Sequence, residues 1–117
     1  MKVLVVDDNP VNRLLPLTWL SRAGHEAVAC SSGFEALERL GISQYDAMLL
    51  DLSMPGLSGT EVCRQLRASP EHAEMRIVAY TAHLQPELVR GFQEAGFDAV
   101  LIKPVTRLAV FKALGIG

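Results

Sequence analysis

The stretch KVLVVDDNP, Lys2 to Pro10, opens the chain with the pattern that decides its fold. Lys2 to Val6 is a continuous, β-branched-rich run, short enough for a fully buried strand. Asp7 and Asp8 end it at once. Asp8 and Asn9 are both cap-type residues, and Pro10 suits the first turn of a helix, where its missing N–H would have had no intrahelical partner.

The alternation of strand and helix continues along the chain. A helix is expected from about Val11 to Ala23, stopped by Gly24, and then a weaker strand from His25 to Cys30. Ser32-Gly33-Phe34-Glu35 has the form of a capping box and opens a short helix that Gly41 ends. Ala47 to Leu50 is a buried strand ending at Asp51, and the polar loop LSMPGLSG leads to a helix from about Thr60 to Ala68. Arg76 to Tyr80 is a fourth strand, ending at Thr81. Pro86 is placed to start a helix in which Leu88, Phe92 and Ala95 share a face, with Gly96 as its stop. Ala99 to Ile102 is a fifth strand, followed by a last helix from about Thr106 to Leu114. Pro16 falls inside the first helix, where its missing N–H should kink that helix or delay its start. The final Gly-Ile-Gly points to a trimmed or frayed tail.

Five apolar strands alternating with five helices imply an α/β fold, a doubly wound parallel sheet covered on both faces. The chain has 117 residues, half of them hydrophobic, which suits one domain over residues 1–117. A net charge of -2 leaves no electrostatic footprint for nucleic acid. No apolar run is long enough to cross a bilayer, and the acidic turn after Val6 is wrong for a signal peptide, so a cytoplasmic location is expected. Cys30 and Cys63 stand alone, outside any metal-ligand spacing, and are expected to be buried reduced thiols.

Ligands of such sheets bind beyond the carboxyl ends of the strands, where the winding reverses. Strand one ends in Asp7 and Asp8, strand three in Asp51, strand four in Thr81, and strand five, in the stretch VLIKPVT, runs into Lys103. Each has a bland explanation: a helix cap for Asp8, a turn for Asp51, a strand residue for Thr81, a snorkelling stem for Lys103. Their joint placement at one edge is what these explanations leave out. Three carboxylates packed together repel unless a cation sits among them. An all-oxygen set of this kind suits Mg²⁺, which keeps several waters and shares its shell with phosphate oxygens. A carboxylate is also a competent nucleophile towards phosphorus, and phosphoryl transfer needs mainly positioning and charge neutralisation.

The motifs VVDDNP, LLDLSMPGLSG, AYTA and IKP together resemble the receiver domain of two-component response regulators, over essentially the whole chain. The resemblance implies a flavodoxin-like sheet with strand order 2-1-3-4-5. It implies that Asp51 accepts a phosphoryl group from a phosphohistidine on a histidine kinase or histidine phosphotransfer domain. Asp8, Asp51 and the backbone carbonyl of Ser53 would hold Mg²⁺, with Asp7 assisting partly through water. Thr81 and Lys103 would contact phosphoryl oxygens, and the Lys103–Pro104 bond would be cis. Such a domain catalyses its own phosphorylation and dephosphorylation; it is not a stand-alone metabolic enzyme. The first helix, with Leu14, Leu15, Pro16, Leu17 and Trp19, would dock the histidine-bearing partner through those of its apolar residues that do not face the sheet, Pro16 shaping the patch and Trp19 by itself better explained by core packing. DDNPVNRLL is especially similar to receivers of hybrid histidine kinases, which points to a phosphorelay and is compatible with a membrane-bound parent kinase.

Two positions depart from the family. Val100 stands where an aromatic residue often couples phosphorylation to an outer surface; its stiff, small side chain predicts a muted conformational response. His83 occupies a position that tunes phosphoryl lifetime in relatives, and an exposed loop residue is an equal alternative. His25 and His72 have no acidic or cysteine companions. A single-domain regulator acting through phosphorylation-dependent protein binding is the alternative. An aspartate-nucleophile phosphatase would need an acid where Ser53 stands, and a flavin domain would need a phosphate loop where Asp7 and Asp8 stand. An unphosphorylated structural receiver would usually lack a site residue, and all five are present here.

Overall fold

A computed structural model describes residues 1–54, 56–82 and 86–116, apart from the side chains of residues 86–89. The first strand, β1 (Lys2–Val6), leads into α1 (Pro10–Arg22), followed by β2 (Glu26–Cys30), α2 (Gly33–Ile42) and β3 (Ala47–Asp51). The second half adds α3 (Gly59–Ala68), β4 (Arg76–Thr81), α4 (Pro86–Ala95), β5 (Ala99–Ile102) and α5 (Arg107–Leu114). All four strand pairings are parallel, in the order β2-β1-β3-β4-β5.

Two-residue periodicity divides the apolar strand residues between two cores. Leu4, Val6, Met48, Leu50, Ile77 and Ala79 face one cluster, completed by α2, α3 and α4 through residues such as Leu40, Cys63, Leu66 and Ala95. Val3, Val5, Leu49, Val78 and Tyr80 face the other, completed by Leu20 of α1 and by Val110, Phe111 and Leu114 of α5. Both cysteines are buried free thiols, and the Cys63 Sγ donates to the Ala95 carbonyl at 3.3 Å. Burial pushes each thiol up to about 11.

Local chemistry sets the helix ends. The Asn9 side chain accepts from the Val11 and Asn12 N–H groups and starts α1 at Pro10, so Asn9 is the cap residue and Asp8 is left outside the helix. Pro16 does not delay this start. It is buried within a helix that runs on to Arg22. The capping box at α2 is shifted by one residue. Ser32 Oγ accepts from the Glu35 N–H, but the Glu35 carboxylate reaches back to the N–H and hydroxyl of Ser31. At the far end, Gly115 takes a left-handed φ of 79°, and Ile116 donates to the Phe111 carbonyl and packs on the α5 core. The tail is therefore closed by a cap through Ile116 and is not frayed there.

Arg67 at the end of α3 ties three segments together. Its guanidinium donates to the carbonyls of Gly96, Ala73 and Met75 and to Asp98, which in turn accepts from the Ile77 N–H.

Candidate functional site

The winding direction reverses between β1 and β3, so the site lies beyond their carboxyl ends. Val6 is paired with Leu50, which places Asp7 and Asp51 side by side one step further along. Both are buried, at 0% and 1% exposure, whereas Asp8, one residue further into the bend after β1, is exposed. One carboxylate oxygen from each of Asp7, Asp8 and Asp51 lies within 4.8 Å of the others.

Asp51 is held at both oxygens. Oδ1 accepts from the Ser53 N–H at 2.8 Å, and Oδ2 faces the Lys103 ammonium at 3.3 Å. Burial raises its pKa above the ordinary carboxylate value despite the Ser53 N–H; the Asp7 charge adds to the rise and Lys103 opposes it. Gly59, the first residue of α3, sits directly behind this turn: a Cβ there would lie 2.7 Å from Leu52 Cδ2 and 3.3 Å from the Asp51 carbonyl oxygen. A side chain at that position would have to displace the tip of Leu52 and would crowd the Asp51 carbonyl.

Lys103 comes from beyond β5, across a cis bond to Pro104, and its N–H donates to the Thr81 carbonyl at 2.8 Å. Its ammonium sits 3.6 Å from Asp7 Oδ2 as well as near Asp51, so one cation serves two buried anions. Thr81 is buried at the end of β4, next to Ile102 in register. Val100 is half-buried and packs on the core beneath α4. His83 lies outside the described residues.

Sequence patterns alone miss two contributors. Tyr80 is fully buried and its hydroxyl donates to Asp7 Oδ2 at 2.6 Å. Arg13 of α1 donates to the Asp7 carbonyl at 2.8 Å. The available signal for Tyr80 was its register: two-residue alternation puts it on the same sheet face as Asp51, its direct neighbour across β3 and β4. Beside these groups, Leu15, Pro16, Trp19, Pro104 and Val105 line a cavity of about 340 Å³ between α1 and the loop after β5.

Chemically, the cluster offers hard oxygen donors with three negative charges against one ammonium, which fits a divalent cation of the Mg²⁺ type. Comparison with known proteins agrees with this chemistry. The family model of the response regulator receiver domain matches residues 3–114. The sensory/regulatory protein RpfC of Xanthomonas campestris is 33% identical over 117 residues, covering 97% of this chain and 16% of RpfC. Sensor protein GacS of Pseudomonas syringae is 38% identical over 108 residues, 90% of this chain and 12% of GacS. The chain thus spans less than a fifth of the length of these curated relatives. Chemotaxis protein CheY4 of Vibrio cholerae superposes with a TM-score of 0.91 at 28% identity, covering 97% of this chain and 95% of that one. The receiver domain of the sensor histidine kinase PA1611 of Pseudomonas aeruginosa, solved with magnesium in its active-site cleft, gives 0.86 at 29% identity, covering 97% and 93%. With the matched strand order, the acidic cluster at the switch point and a family model spanning nearly the whole chain, the protein belongs to the response regulator receiver domain family.

Proposed function

We propose that Asp51 accepts a phosphoryl group from a phosphohistidine of a histidine kinase or histidine phosphotransfer domain, as a step in a phosphorelay. The carrying observation is that Asp51 is buried at the switch point with Oδ2 at 3.3 Å from the Lys103 ammonium and two further carboxylates within 4.8 Å. Asp8, Asp51 and the Ser53 carbonyl would hold Mg²⁺, with Asp7 assisting, partly through water; when bound, the cation would neutralise charge on the transferring group.

A carboxylate oxygen of Asp51 forms the new bond to phosphorus as the phosphorus–nitrogen bond breaks, and the imidazole leaves with the electron pair. Lys103 is already beside that carboxylate and takes up one phosphoryl oxygen; the Thr81 hydroxyl donates to another. The partner's helical bundle docks on α1, where Val11, Leu14 and Leu15 are 73%, 61% and 57% exposed next to the site. No helix among the described residues is long and apolar enough to cross a membrane. A cytoplasmic location, where kinase and receiver meet, accompanies this function.

The test is acetyl phosphate with Mg²⁺, followed by intact mass. One phosphoryl group should be added, be released by hydroxylamine as an acyl phosphate is, and be absent in Asp51→Asn. Labelling of that variant at the wild-type rate would falsify the assignment.

A further inference from the structure

Tyr80 is a buried phenol on which nothing in the phosphoryl-transfer chemistry above depends, yet it makes a short contact to the acidic cluster. Its hydroxyl lies 2.6 Å from Asp7 Oδ2, in the range of a hydrogen bond to an ionised oxygen. The other oxygen of Asp7, Oδ1, accepts from the Asn9 N–H at 2.9 Å. Both oxygens of this fully buried carboxylate are thus committed to donors of the chain itself. Lys103 stands further from Asp7, at 3.6 Å, than from Asp51, at 3.3 Å, and its ammonium rests over the Tyr80 ring, 4.9 Å from the centroid.

We propose that Tyr80 is a positioning residue that sets the cation affinity of the acidic cluster: its hydroxyl holds Asp7 Oδ2 away from direct coordination, and its ring keeps the Lys103 ammonium on the Asp51 side. This rests on the cluster being the Mg²⁺ site. The geometry is enforced by the sheet. Tyr80 is paired with Asp51 across β3 and β4, and its side chain reaches along the shared face to β1. A phenylalanine would fill the same volume and keep the ring under Lys103, while leaving Asp7 Oδ2 short of a donor and carrying more uncompensated charge. A cation then gains a second buried ligand oxygen.

The experiment measures the Mg²⁺ dissociation constant by calorimetric titration, and the urea midpoint without Mg²⁺, in wild type, Tyr80→Phe, Asp7→Asn and the double variant. Tyr80→Phe should bind Mg²⁺ about tenfold more tightly, the equivalent of one hydrogen bond to a charged acceptor. Its midpoint without metal should fall, because a buried carboxylate has lost a partner. A loosened fold would weaken both, so opposite movement is the signature of positioning. In the Asp7→Asn background the effect of Tyr80→Phe on Mg²⁺ should shrink to less than about twofold. Equal or weaker binding by Tyr80→Phe, or the same tightening with and without Asp7, would overturn the role of Tyr80. Wild-type protein that binds no Mg²⁺ would instead overturn the cation site itself.

Discussion

Replacing Lys103 with methionine keeps most of the stem and removes the ammonium that two buried carboxylates share. At an effective dielectric of about 20, unit charges 3.3 Å and 3.6 Å apart attract by about 5 kcal/mol each. Part of that gross attraction offsets the cost of desolvating the ammonium of Lys103, whose side chain is only 20% exposed. Removing one partner of a buried ion pair then costs about 3–5 kcal/mol net, because the remaining charges are left uncompensated. With a urea dependence of about 1.5 kcal/mol/M, the unfolding midpoint should drop by about 2–3 M. The loss should depend on pH. The folded-state pKa of Asp51 is already raised, chiefly by burial, so its contribution to stability is present below its unfolded pKa and lost as pH rises through the folded one. Without Lys103 that folded pKa climbs further, so the deficit of Lys103→Met should be largest near about pH 8 and shrink towards about pH 5. Mg²⁺ should restore part of it at the higher pH by replacing the missing positive charge. Urea titrations followed by circular dichroism at the two pH values, with and without Mg²⁺, provide the measurement. A deficit below about 1 kcal/mol, or one equal at both pH values, would refute an electrostatically strained cluster neutralised by Lys103.

Asp8→Ala should weaken Mg²⁺ binding more than Asp7→Ala, because Asp8 is exposed and Asp7 is already engaged at both oxygens; calorimetry giving the reverse order would contradict this. Arg67→Ala strips hydrogen bonds from the Gly96, Ala73 and Met75 carbonyls and the ion pair to Asp98, and should cost about 3 kcal/mol, a fall of about 10 °C in Tm. A change of under about 3 °C would mean that water satisfies those groups equally well. Cys30 and Cys63, with thiols pushed up to about 11, should resist a disulfide reagent in the native state at mildly alkaline pH and react once unfolded. Rapid native labelling would be inconsistent with their burial. Leu14→Ser and Leu15→Ser alter exposed positions of α1 and should slow transfer from a phosphohistidine donor while leaving acetyl phosphate labelling unchanged; equal slowing of both reactions would argue against docking there.

Much of the fold can be read locally. Lys2–Val6 and Ala99–Ile102 coincide with β1 and β5, and the other elements shift by a residue or two at their ends. Periodicity, caps and stops act over a few residues, so the chain displays them in one dimension. Because all the strands are parallel, their carboxyl ends share one edge, and that alone brings Asp7, Asp8, Asp51, Thr81 and Lys103 into one region.

The tertiary structure decided what each of those groups does there. Asp7 and Asp8 are adjacent in sequence, yet just beyond β1 one is fully buried against Tyr80 and the other is exposed. The hydroxyl of Tyr80 meets Asp7 across 73 residues of sequence, through the registers of β1 with β3 and of β3 with β4. Pro16 lies buried within α1 and does not give the late start that local rules allowed, because the Asn9 cap fixes the helix start at Pro10, six residues earlier. The Arg67 clamp likewise joins segments that no local pattern connects. Short-range preferences are set by neighbouring residues and survive in the sequence as patterns. Contacts between distant segments depend on pairing register and side-chain reach, which come into being only when the sheet is assembled.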